Sequence, residues 1–481
     1  MRLLHPLVIF RILGTVLLIE TISFFLCLII ALIYGEPLLP FLLSSAVTGA
    51  LYLIIRFFCR KANSADITKR DTFLIVTLAW VILSALGTLP YIISGTIPSF
   101  IDAFFETASG FTTTGNSVIT DVEVIPYSIH FWRSLTHWIG GLGIVALVII
   151  ILPTLKVSGY QLFSLEASMK EKFYPKTKGL GFRILVIYLA LTIAEIVLLV
   201  LGDMNLFDSI CHSFGTVATG GFSTKNNSLQ YYSSYSQYVV MIFMFLSGVS
   251  LVIYYHLINL NFKKIKQNDE FWFYGLITII AGAVATLILL NYTSAPPEAA
   301  FRNGFFTVIS IITTTGYASS DFLLWPVSGL ALIFILYFAG ASTGSTTGAI
   351  KMGRHLIVLK NLKNFFIRLS HPHLVHNINF NGKPLTSNAS FSIITFVLLY
   401  LLVFIIGTLL IIVTGSDPIT SATAVAASLG NVGPGLGTIG PMSNYAHLPQ
   451  VSKLVLSLLM IIGRLEIYTV FVIFSRSFWK P

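Results

Sequence analysis

Four short segments rich in threonine and glycine recur along the chain, each between two long apolar stretches. They contain Gly115, Gly220, Gly316 and Gly433, which follow one another after 105, 96 and 117 residues. One such segment in each quarter of the chain predicts four-fold pseudosymmetry around a common axis. Four extended backbone segments around one axis present a ring of carbonyl oxygens, which can replace the hydration shell of an alkali cation. The spacing therefore predicts a cation pathway.

The residues just before these glycines are the predicted ligands of the metal ion. We expect their carbonyls to face the axis, because glycine can adopt backbone angles that a Cβ atom disfavours. Neutral oxygen ligands suit a weakly hydrated monovalent ion better than Ca²⁺ or Mg²⁺. A single TTTG segment indicates an ordinary loop or helix contact, whereas four at matched positions favour a filter. The predicted ligands are Thr113, Thr114, Ala218, Thr219, Thr314, Thr315, Asn431 and Val432.

A second polar region interrupts an apolar run between Gly340 and Gly348, where nine residues include three glycines and five serines or threonines. Such a segment is a poor helix interior, and its backbone groups must be buried in protein or wetted. We interpret it as an intramembrane loop that blocks the pore on the cytoplasmic side of the filter. Close helix packing through small residues is the alternative. The predicted gate residues in this segment are Gly340, Gly344, Ser345, Thr346, Thr347 and Gly348.

Arg464 completes the predicted gate and lies in the last apolar segment, two residues before Glu466. A membrane arginine is costly and faces a partner or a cavity. We predict that Arg464 lies beside the pathway at the depth of the loop, where its charge raises the barrier for cations. An ion pair with Glu466 is the alternative. Arg133 and His137 are predicted to brace the filter from the helix after the first segment.

Short half-helices must carry these segments into the membrane. Each segment follows an apolar stretch of roughly 12 residues, too short to span a bilayer, so it is predicted to be re-entrant. Proline, serine, asparagine and aspartate favour helix N-termini. They precede the four stretches at Pro98-Ser99, Asn205, Pro296-Pro297 and Asp417-Pro418.

The whole chain is predicted to be an all-α integral membrane protein. Four pseudo-symmetric units, each of helix, pore loop and helix, surround one ion pore, and a two-helix hairpin precedes them. The predicted regions are the N-terminal helix pair 1–60, pore unit 1 at 61–160, pore unit 2 at 161–266, pore unit 3 at 267–385 with the broken second helix and the gating loop, and pore unit 4 at 386–481.

Composition and charge agree with a membrane location. Hydrophobic residues make up 55% of the chain and charged residues 10%, so the chain is too apolar for a soluble protein. We attribute the net charge of +10 to cytoplasmic loops and expect no nucleic-acid partner. Lysine and arginine are absent between Gly95 and His130, so the filter segments are predicted to enter from outside and both termini to be cytoplasmic.

Two further groups could suggest a metal site or redox chemistry. His371, His373 and His376 lie in a basic loop without a nearby carboxylate or cysteine, and contact with a cytoplasmic partner is favoured over a metal role. Cys27, Cys59 and Cys211 show neither metal-ligand spacing nor a disulfide framework. We expect no organic cofactor in this chain and no enzymatic activity, because no nucleophile lies at a suitable spacing from a base.

The chain resembles the TrkH subunits of the bacterial Trk/Ktr potassium-uptake superfamily. The resemblance runs over essentially the whole chain. It implies a multi-pass homodimer in the bacterial inner membrane, one pore in each subunit, and a cytoplasmic ring of TrkA-like nucleotide-binding subunits that regulate the pore. The segments that carry it are 108–115, 136–143, 218–223, 340–348 and 463–466.

These observations leave two transport mechanisms open. The first is potassium uptake through a gated, channel-like pore driven by the membrane potential, about 2.3 kcal/mol per charge per 100 mV. The alternative is a K⁺ symporter coupled to H⁺ or Na⁺, which needs a titratable or second-ion site in the pathway. The four segments are not identical: each keeps one reference glycine in place of the longer TVGYG pattern of potassium channels, and the fourth has Asn431-Val432 and no threonine. Fewer constrained carbonyls imply weaker discrimination, so Rb⁺ and Na⁺ are also expected to pass.

Overall fold

A computed structural model describes residues 4–60, 67–146, 177–371 and 378–480. Within these ranges, six helices are long and apolar enough to cross a membrane, and two bent helix pairs raise the number to as many as eight. The predicted boundaries at 60/61 and 160/161 fall at or inside the gaps, and His373 and His376 lie outside the described residues. The chain is a helical, multi-pass membrane protein.

Long helices form the outer frame of the molecule. Their apolar residues face outwards along much of their length, as expected for helices in contact with lipid. Gly35 ends the first of them in the left-handed conformation, with φ of 67°, and turns the chain into the second. The helices are Pro6–Tyr34, Leu39–Phe58, Lys69–Leu86 continued by Leu89–Ile93, Thr177–Val200, Asp269–Tyr292 and Ser387–Val413.

Four half-helices lie inside this frame, and the predicted starting residues are confirmed. The side chains of Asn205 and Asp417 accept hydrogen bonds from the backbone amides of Asp208 and Thr420, which satisfies groups that the first helical turn leaves unpaired. Most residues of the half-helices are buried. Half-helices 1 to 4 are Phe100–Phe111, Leu206–Val217, Pro297–Ile312 and Pro418–Gly430.

The helices that follow pore loops 2, 3 and 4 are bent or broken on the side of the predicted gate. Ser234–Gly248 meets Leu251–Ile258 at 93°, and Gln450–Arg464 meets the segment from Ile467 at 108°. In unit 3, Val327–Leu336 ends before the polar segment and Met352–Ser370 begins after it. The helix Tyr127–Ala146 follows the first pore loop.

Two pairs of very short strands add to the helical fold. Strands β1 (Ala339–Gly340) and β2 (Ile350–Lys351) pair in parallel and bring together the two ends of the polar segment. Strands β3 (Asn379–Phe380) and β4 (Lys383–Pro384) form a hairpin between the helices Met352–Ser370 and Ser387–Val413. Short helices complete the described chain at Phe262–Lys266, Ile467–Phe471 and Arg476–Trp479, with 3-10 turns at Ser228–Tyr231, Phe322–Leu324, Gly437–Ile439 and Val472–Phe474.

Candidate ion pathway

The same backbone turn ends each of the four half-helices. A residue with a positive φ of 52° to 57° lies two positions after the end of half-helices 1 to 3 and one position after the end of half-helix 4. The backbone amide of the residue that follows it donates to a carbonyl five residues earlier at 2.7 to 2.9 Å. This is the pattern of a helix end with a left-handed residue. Threonine is rare in that conformation, which costs it about 1–2 kcal/mol, and such strain is typical of functional sites. The four residues are Thr113, Thr219, Thr314 and Asn431.

A glycine with positive φ follows each of these residues after one intervening position. In loops 1, 3 and 4 it is the predicted glycine, but in loop 2 it is Gly221, with φ of 84°. The prediction that Gly220 is the equivalent glycine is therefore wrong by one residue. Loop 2 contains two adjacent glycines, and only the backbone angles distinguish them. The four glycines are Gly115, Gly221, Gly316 and Gly433, with φ from 83° to 103°.

Contacts between neighbouring loops close a ring of four. At each of these glycines, an added Cβ would meet a backbone carbonyl oxygen of the next loop, at 3.0 Å for Gly433 and closer than that for the others. The order of the contacts is loop 1 to 2, 2 to 3, 3 to 4 and 4 back to 1, so the loops surround a common axis. The contacts join Gly115 to the carbonyl of Gly220, Gly221 to Thr315, Gly316 to Val432, and Gly433 to Thr114.

Each predicted ligand can now be assigned a position relative to the ring. Thr114, Thr315 and Val432 contribute ring carbonyls, and Thr113, Thr314 and Asn431 are the left-handed residues just before them. In loop 2 the equivalent pair is Thr219 and Gly220. Ala218 is the C-cap of half-helix 2 and lies one residue before this pair. The prediction that Ala218 is an equivalent ligand is therefore wrong by one residue, as it is for Gly220. The C-terminal ends of the four half-helices carry partial negative charge, which favours a cation at the axis.

A cavity of about 120 Å³ opens directly outside the ring. All four left-handed glycines line it, together with the segments that leave loops 1, 2 and 4. Lys225 also lines the cavity and lies 3.8 Å from Glu123. The side-chain amide of Asn226 donates to Asp121 Oδ1 at 2.8 Å, and this bond lowers the pKa of the Asp121 carboxyl. Positive and negative side chains therefore lie together at this cavity.

A buried ion pair supports the outer ends of loops 1 and 2. Arg133 Nε lies 2.9 Å from Glu106 Oε1, and both side chains are almost fully buried. The Arg133 guanidinium lies over the Phe222 ring at 4.2 Å and donates to the Ser223 carbonyl at 3.3 Å. Glu106 accepts the backbone amide of Val118 at 2.8 Å. The predicted bracing position of Arg133 is confirmed, because one pair holds the exits of two loops.

His137 joins half-helix 1 to loop 2. Its Nε2 accepts the backbone amide of Phe222 at 3.2 Å, which leaves Nδ1 to donate to the Gly110 carbonyl at 2.8 Å. Its predicted bracing position is also confirmed. Two tyrosines support loop 4 in the same way, since Tyr337 and Tyr445 donate to the carbonyls of Pro434 and Gly433 at 2.6 and 3.0 Å. The sequence analysis did not identify these tyrosines.

The segment from Gly340 to Gly348 lies against the inner side of the ring. The amide of Gly348 donates to Thr314 Oγ1 at 2.8 Å, and Thr346 Oγ1 donates to the Val217 carbonyl at 3.2 Å. The described residues of this segment are almost entirely buried. We name residues 340–348 the intramembrane loop. Gly340, Gly344, Ser345, Thr346, Thr347 and Gly348 all belong to it.

Arg464 contacts this loop as expected. Its Nη1 donates to the Thr346 carbonyl at 2.6 Å and its Nη2 to the Gly140 carbonyl at 3.4 Å, while 2% of the residue is exposed. Within the described ranges, no carboxylate lies within ion-pair distance of Arg464. Glu466 pairs instead with Arg354, at 2.6 Å, so the alternative of an Arg464–Glu466 pair is wrong.

Glu270 holds both ends of the intramembrane loop, and sequence reasoning missed it. Its Oε1 accepts the Thr343 amide at 2.6 Å, the Thr343 hydroxyl at 2.9 Å and the Gly353 amide at 2.8 Å. Lys351 donates to the carbonyl and the hydroxyl of Thr347. An acidic residue at the start of a spanning helix was the available signal, but its partners lie 73 and 83 residues away.

The remaining candidate groups lie away from the ring. His371 is exposed at the end of the helix Met352–Ser370. Cys27, Cys59 and Cys211 are buried and form no disulfide. Among the described residues, no group of three or more histidine, cysteine, aspartate or glutamate side chains could hold a metal ion.

Comparisons with known proteins identify close relatives of the whole chain. The TrkH family profile, described as a cation transport protein, matches residues 41–480. The chain is 33% identical to the Trk system potassium uptake protein TrkH of Vibrio parahaemolyticus, covering 98% of this chain and 99% of the relative. It is 32% identical to the protein of the same name from Escherichia coli K12, covering 99% and 100%. The crystal structure of the potassium transporter TrkH from Vibrio parahaemolyticus superposes with a TM-score of 0.91 at 32% identity, covering 99% of this chain and 100% of that one.

Proposed function

The chain belongs to the TrkH family of cation transport proteins, and from this premise we propose that it takes up K⁺ through a gated, channel-like pore. The selectivity filter consists of the four pore loops. The observation that carries the proposal is the closed ring of contacts between the carbonyls of Thr114, Gly220, Thr315 and Val432 and the glycines of the neighbouring loops. Carbonyls held in a ring can replace the hydration shell of K⁺.

The chemistry of the ring favours K⁺ as the transported ion. The ring offers neutral backbone oxygens, which suit a weakly hydrated monovalent cation. The proposal requires no organic cofactor in this chain. The names of the two curated relatives also refer to potassium uptake.

The intramembrane loop is the proposed gate. It touches half-helix 2 and loop 3 on the inner side of the ring, and the buried charge of Arg464 lies against it. Both features oppose cation flow, one by obstruction and the other by repulsion. Deletion within Gly344 to Gly348 therefore increases flux if the protein stays folded.

The proposed setting is the bacterial inner membrane, with both termini cytoplasmic and two copies of the chain forming a homodimer. A cytoplasmic nucleotide-binding, TrkA-like subunit regulates the gate. The basic residues of Phe262–Lys266 and Met352–Ser370 support this orientation, because positive charge is retained in cytoplasmic segments. The cytoplasmic hairpin and His371, His373 and His376 are candidates for contact with the regulatory subunit.

Electrical recording from the purified protein in a planar bilayer tests the proposal. With K⁺, Na⁺ and pH gradients imposed separately, a reversal potential that follows the K⁺ gradient supports a channel. A protein that carries no K⁺ current and no K⁺ flux contradicts the proposed function.

A K⁺ symporter coupled to H⁺ or Na⁺ is the second candidate. Glu195 favours it, because this carboxyl group is fully buried beside Thr216 of half-helix 2. A reversal potential that shifts with pH or with the Na⁺ gradient, and that no longer shifts in Glu195→Gln, would select the symporter.

A further inference from the structure

The first three helices bring a group of basic residues to one membrane surface. The helix Pro6–Tyr34 begins at this surface, Leu39–Phe58 returns to it, and the helix from Lys69 starts from it, because each is long enough to cross the bilayer once. His5 Nδ1 lies 2.9 Å from Asp71 Oδ2, which joins the starts of the first and third helices. We name the basic residues of this surface the N-terminal basic cluster. They are Arg11, Arg56, Arg60, Lys69 and Arg70.

Helix packing places Arg11 at the depth of the two arginines of the second helix. A Cβ atom at Gly14 would lie 3.0 Å from the Ile55 side chain, so the first and second helices cross at this point. Arg11 lies three residues from Gly14 towards the surface. Arg56 and Arg60 lie one and five residues from Ile55 in the same direction. At a rise of about 1.5 Å per residue, the three arginines lie within about 6 Å of one another in depth.

Aromatic side chains orient the guanidinium groups of Arg56 and Arg60. Arg56 donates to the Tyr52 hydroxyl, and its guanidinium lies 5.8 Å from the centre of that ring. The Arg60 guanidinium lies 5.9 Å from the centre of the Phe57 ring. Within the described ranges, neither arginine is within ion-pair distance of a carboxylate. A guanidinium held in this way can offer its other N–H groups to an anion.

Positive charge is in excess at this end of the three helices. Among their described residues, Asp71 is the acid at this end, and it is fully buried. It accepts the backbone amides of His5 and Thr68 at 2.9 Å each. One buried carboxylate is outnumbered by the five basic residues of the cluster, so the surface attracts anions.

Exposed aromatic residues lie beside the basic ones. Phe57 and Phe58 are 66% and 72% exposed, and Leu39–Phe58 is the least buried of the six candidate spans in the described chain. Apolar side chains at a membrane surface face acyl chains, while arginine side chains extend to the headgroups. A surface with both properties fits a molecule that has an anionic head and apolar chains.

We propose that the N-terminal basic cluster binds an anionic phospholipid, with the lipid phosphate on Arg56 and Arg60. The acyl chains then lie beside Phe57 and Phe58. Basic pockets between membrane helices bind such headgroups, and the planar guanidinium fork matches the oxygens of a phosphate. This inference goes beyond the proposed function and does not depend on the ion that the chain transports.

A lipid bound at this surface supports the packing of the first helix on the helix Tyr127–Ala146. The rings of Phe24 and Trp132 lie 4.6 Å apart, and Trp132 precedes Arg133, which braces the exits of loops 1 and 2. A ligand that binds the folded protein alone stabilises it. Anionic phospholipid should therefore raise the unfolding temperature more than a zwitterionic phospholipid does.

Thermal unfolding of the purified full-length protein in a neutral detergent tests the proposal. The protein is titrated with phosphatidylglycerol, with phosphatidylcholine or with inorganic phosphate, and native mass spectrometry counts the lipid molecules that it retains. We expect the parent protein to bind phosphatidylglycerol at least about tenfold more tightly than phosphatidylcholine. Inorganic phosphate should have little effect, because it has no acyl chains.

Arg56→Lys combined with Arg60→Lys separates a guanidinium site from simple attraction of charges. The double lysine variant keeps the charge that directs membrane insertion but has no planar fork. We expect its affinity for phosphatidylglycerol to fall by about tenfold, and that of Arg56→Gln with Arg60→Gln by at least about a hundredfold. Lys363→Gln with Arg368→Gln is the matched control, because it removes two exposed positive charges from Met352–Ser370. This control should bind phosphatidylglycerol as the parent does.

Several results would overturn the proposal. One is equal retention of phosphatidylglycerol and phosphatidylcholine by the parent, and another is parental affinity in the double lysine variant. An equal loss of affinity in the control would place the binding outside the cluster, and equal stabilisation by inorganic phosphate would exclude a lipid. A variant that changes oligomeric state on size-exclusion chromatography but keeps parental lipid affinity would assign the surface to a second copy of the chain. A protein that conducts no K⁺ would contradict the proposed function alone, because none of these readouts requires K⁺ flux.

Discussion

The two ends of the proposed pathway are held in different ways. At the ring of loop carbonyls, backbone packs against backbone, and Gly115, Gly221 and Gly316 leave no room for a Cβ atom beside the carbonyls of the next loops. At the intramembrane loop, side chains such as Arg464 and Glu270 bind the backbone through hydrogen bonds. Steric contacts are lost only when the ring opens, whereas hydrogen bonds can be exchanged for water or an ion. The ring is therefore suited to keep one geometry, as the proposed filter requires, and the intramembrane loop to leave its position, as the proposed gate requires.

Gly221→Ala is expected to have the largest effect, because it disrupts the packing of backbone against backbone in the ring. The alanine would adopt a left-handed backbone at about 1–2 kcal/mol and would also displace the Thr315 carbonyl. We expect selection of K⁺ over Na⁺ to fall by at least about a hundredfold. Competition between the two ions in liposome uptake measures it.

Gly433→Ala is the matched control for this substitution. Its φ of 103° is also positive, but its Cβ would lie 3.0 Å from the Thr114 carbonyl, the longest of the four ring contacts. We expect a clearly smaller loss of selectivity. Equal losses of K⁺ selectivity in Gly221→Ala and Gly433→Ala would mean that the positive φ of the glycine determines the loss, and not the steric contact with a carbonyl.

Arg464→Ala tests the loop side and should raise K⁺ flux. Two charges about 6 Å apart interact by roughly 3 kcal/mol at an effective dielectric constant near 20, so flux can rise by up to about a hundredfold. The variant also loses the bond to the Thr346 carbonyl. Arg464→Lys keeps the charge and should stay nearer the parent. A folded, dimeric Arg464→Ala protein with parental flux would contradict this role.

Glu270→Ala should raise flux by about tenfold, since the loop ends lose hydrogen bonds to a charged group. Asp269→Asn is the control, because Asp269 is the neighbouring acid and pairs with Lys360 outside the loop. Flux at a fixed K⁺ gradient is measured for both. The assignment fails if the two variants have the same flux.

Lys225→Gln should have the smallest effect. The side chain is partly exposed at the outer cavity and its pair with Glu123 is long, so salt screens its charge. We expect K⁺ influx to rise by about twofold at low ionic strength and to match the parent at high ionic strength. Lys263→Gln is the control, because it removes one positive charge from a different segment, Phe262–Lys266. A similar rise in that variant would exclude a local effect at the cavity.

Local signals were sufficient to predict much of the fold. Capping residues such as Asn205 and Asp417 bond to their own helices, so their meaning can be read within a few residues. The turn at Asn381-Gly382 follows the same rule, because these residue types favour a tight hairpin turn and both residues have positive φ. Long apolar segments likewise predicted the helical, multi-pass membrane fold.

Contacts between distant residues set the limit of the sequence analysis. The choice between Gly220 and Gly221 depends on the carbonyl of Thr315, which belongs to another unit. The partner of Glu466 is Arg354, 112 residues away, and no local pattern indicates it. The same limit applies to Glu270, whose role depends on where β1 and β2 bring the loop ends together.

Because a single chain supplies all four loops, the four quarters around the ring need not be identical. A pore of four identical subunits would place four copies of any blocking segment on one axis, where there is room for one. Here the four quarters differ in sequence, and residues 346–348 come from the third quarter alone while they contact the second and fourth quarters through Val217 and Asn431. Four non-identical quarters thus leave room for one off-centre segment beside the ring of loops, as the proposed gate requires.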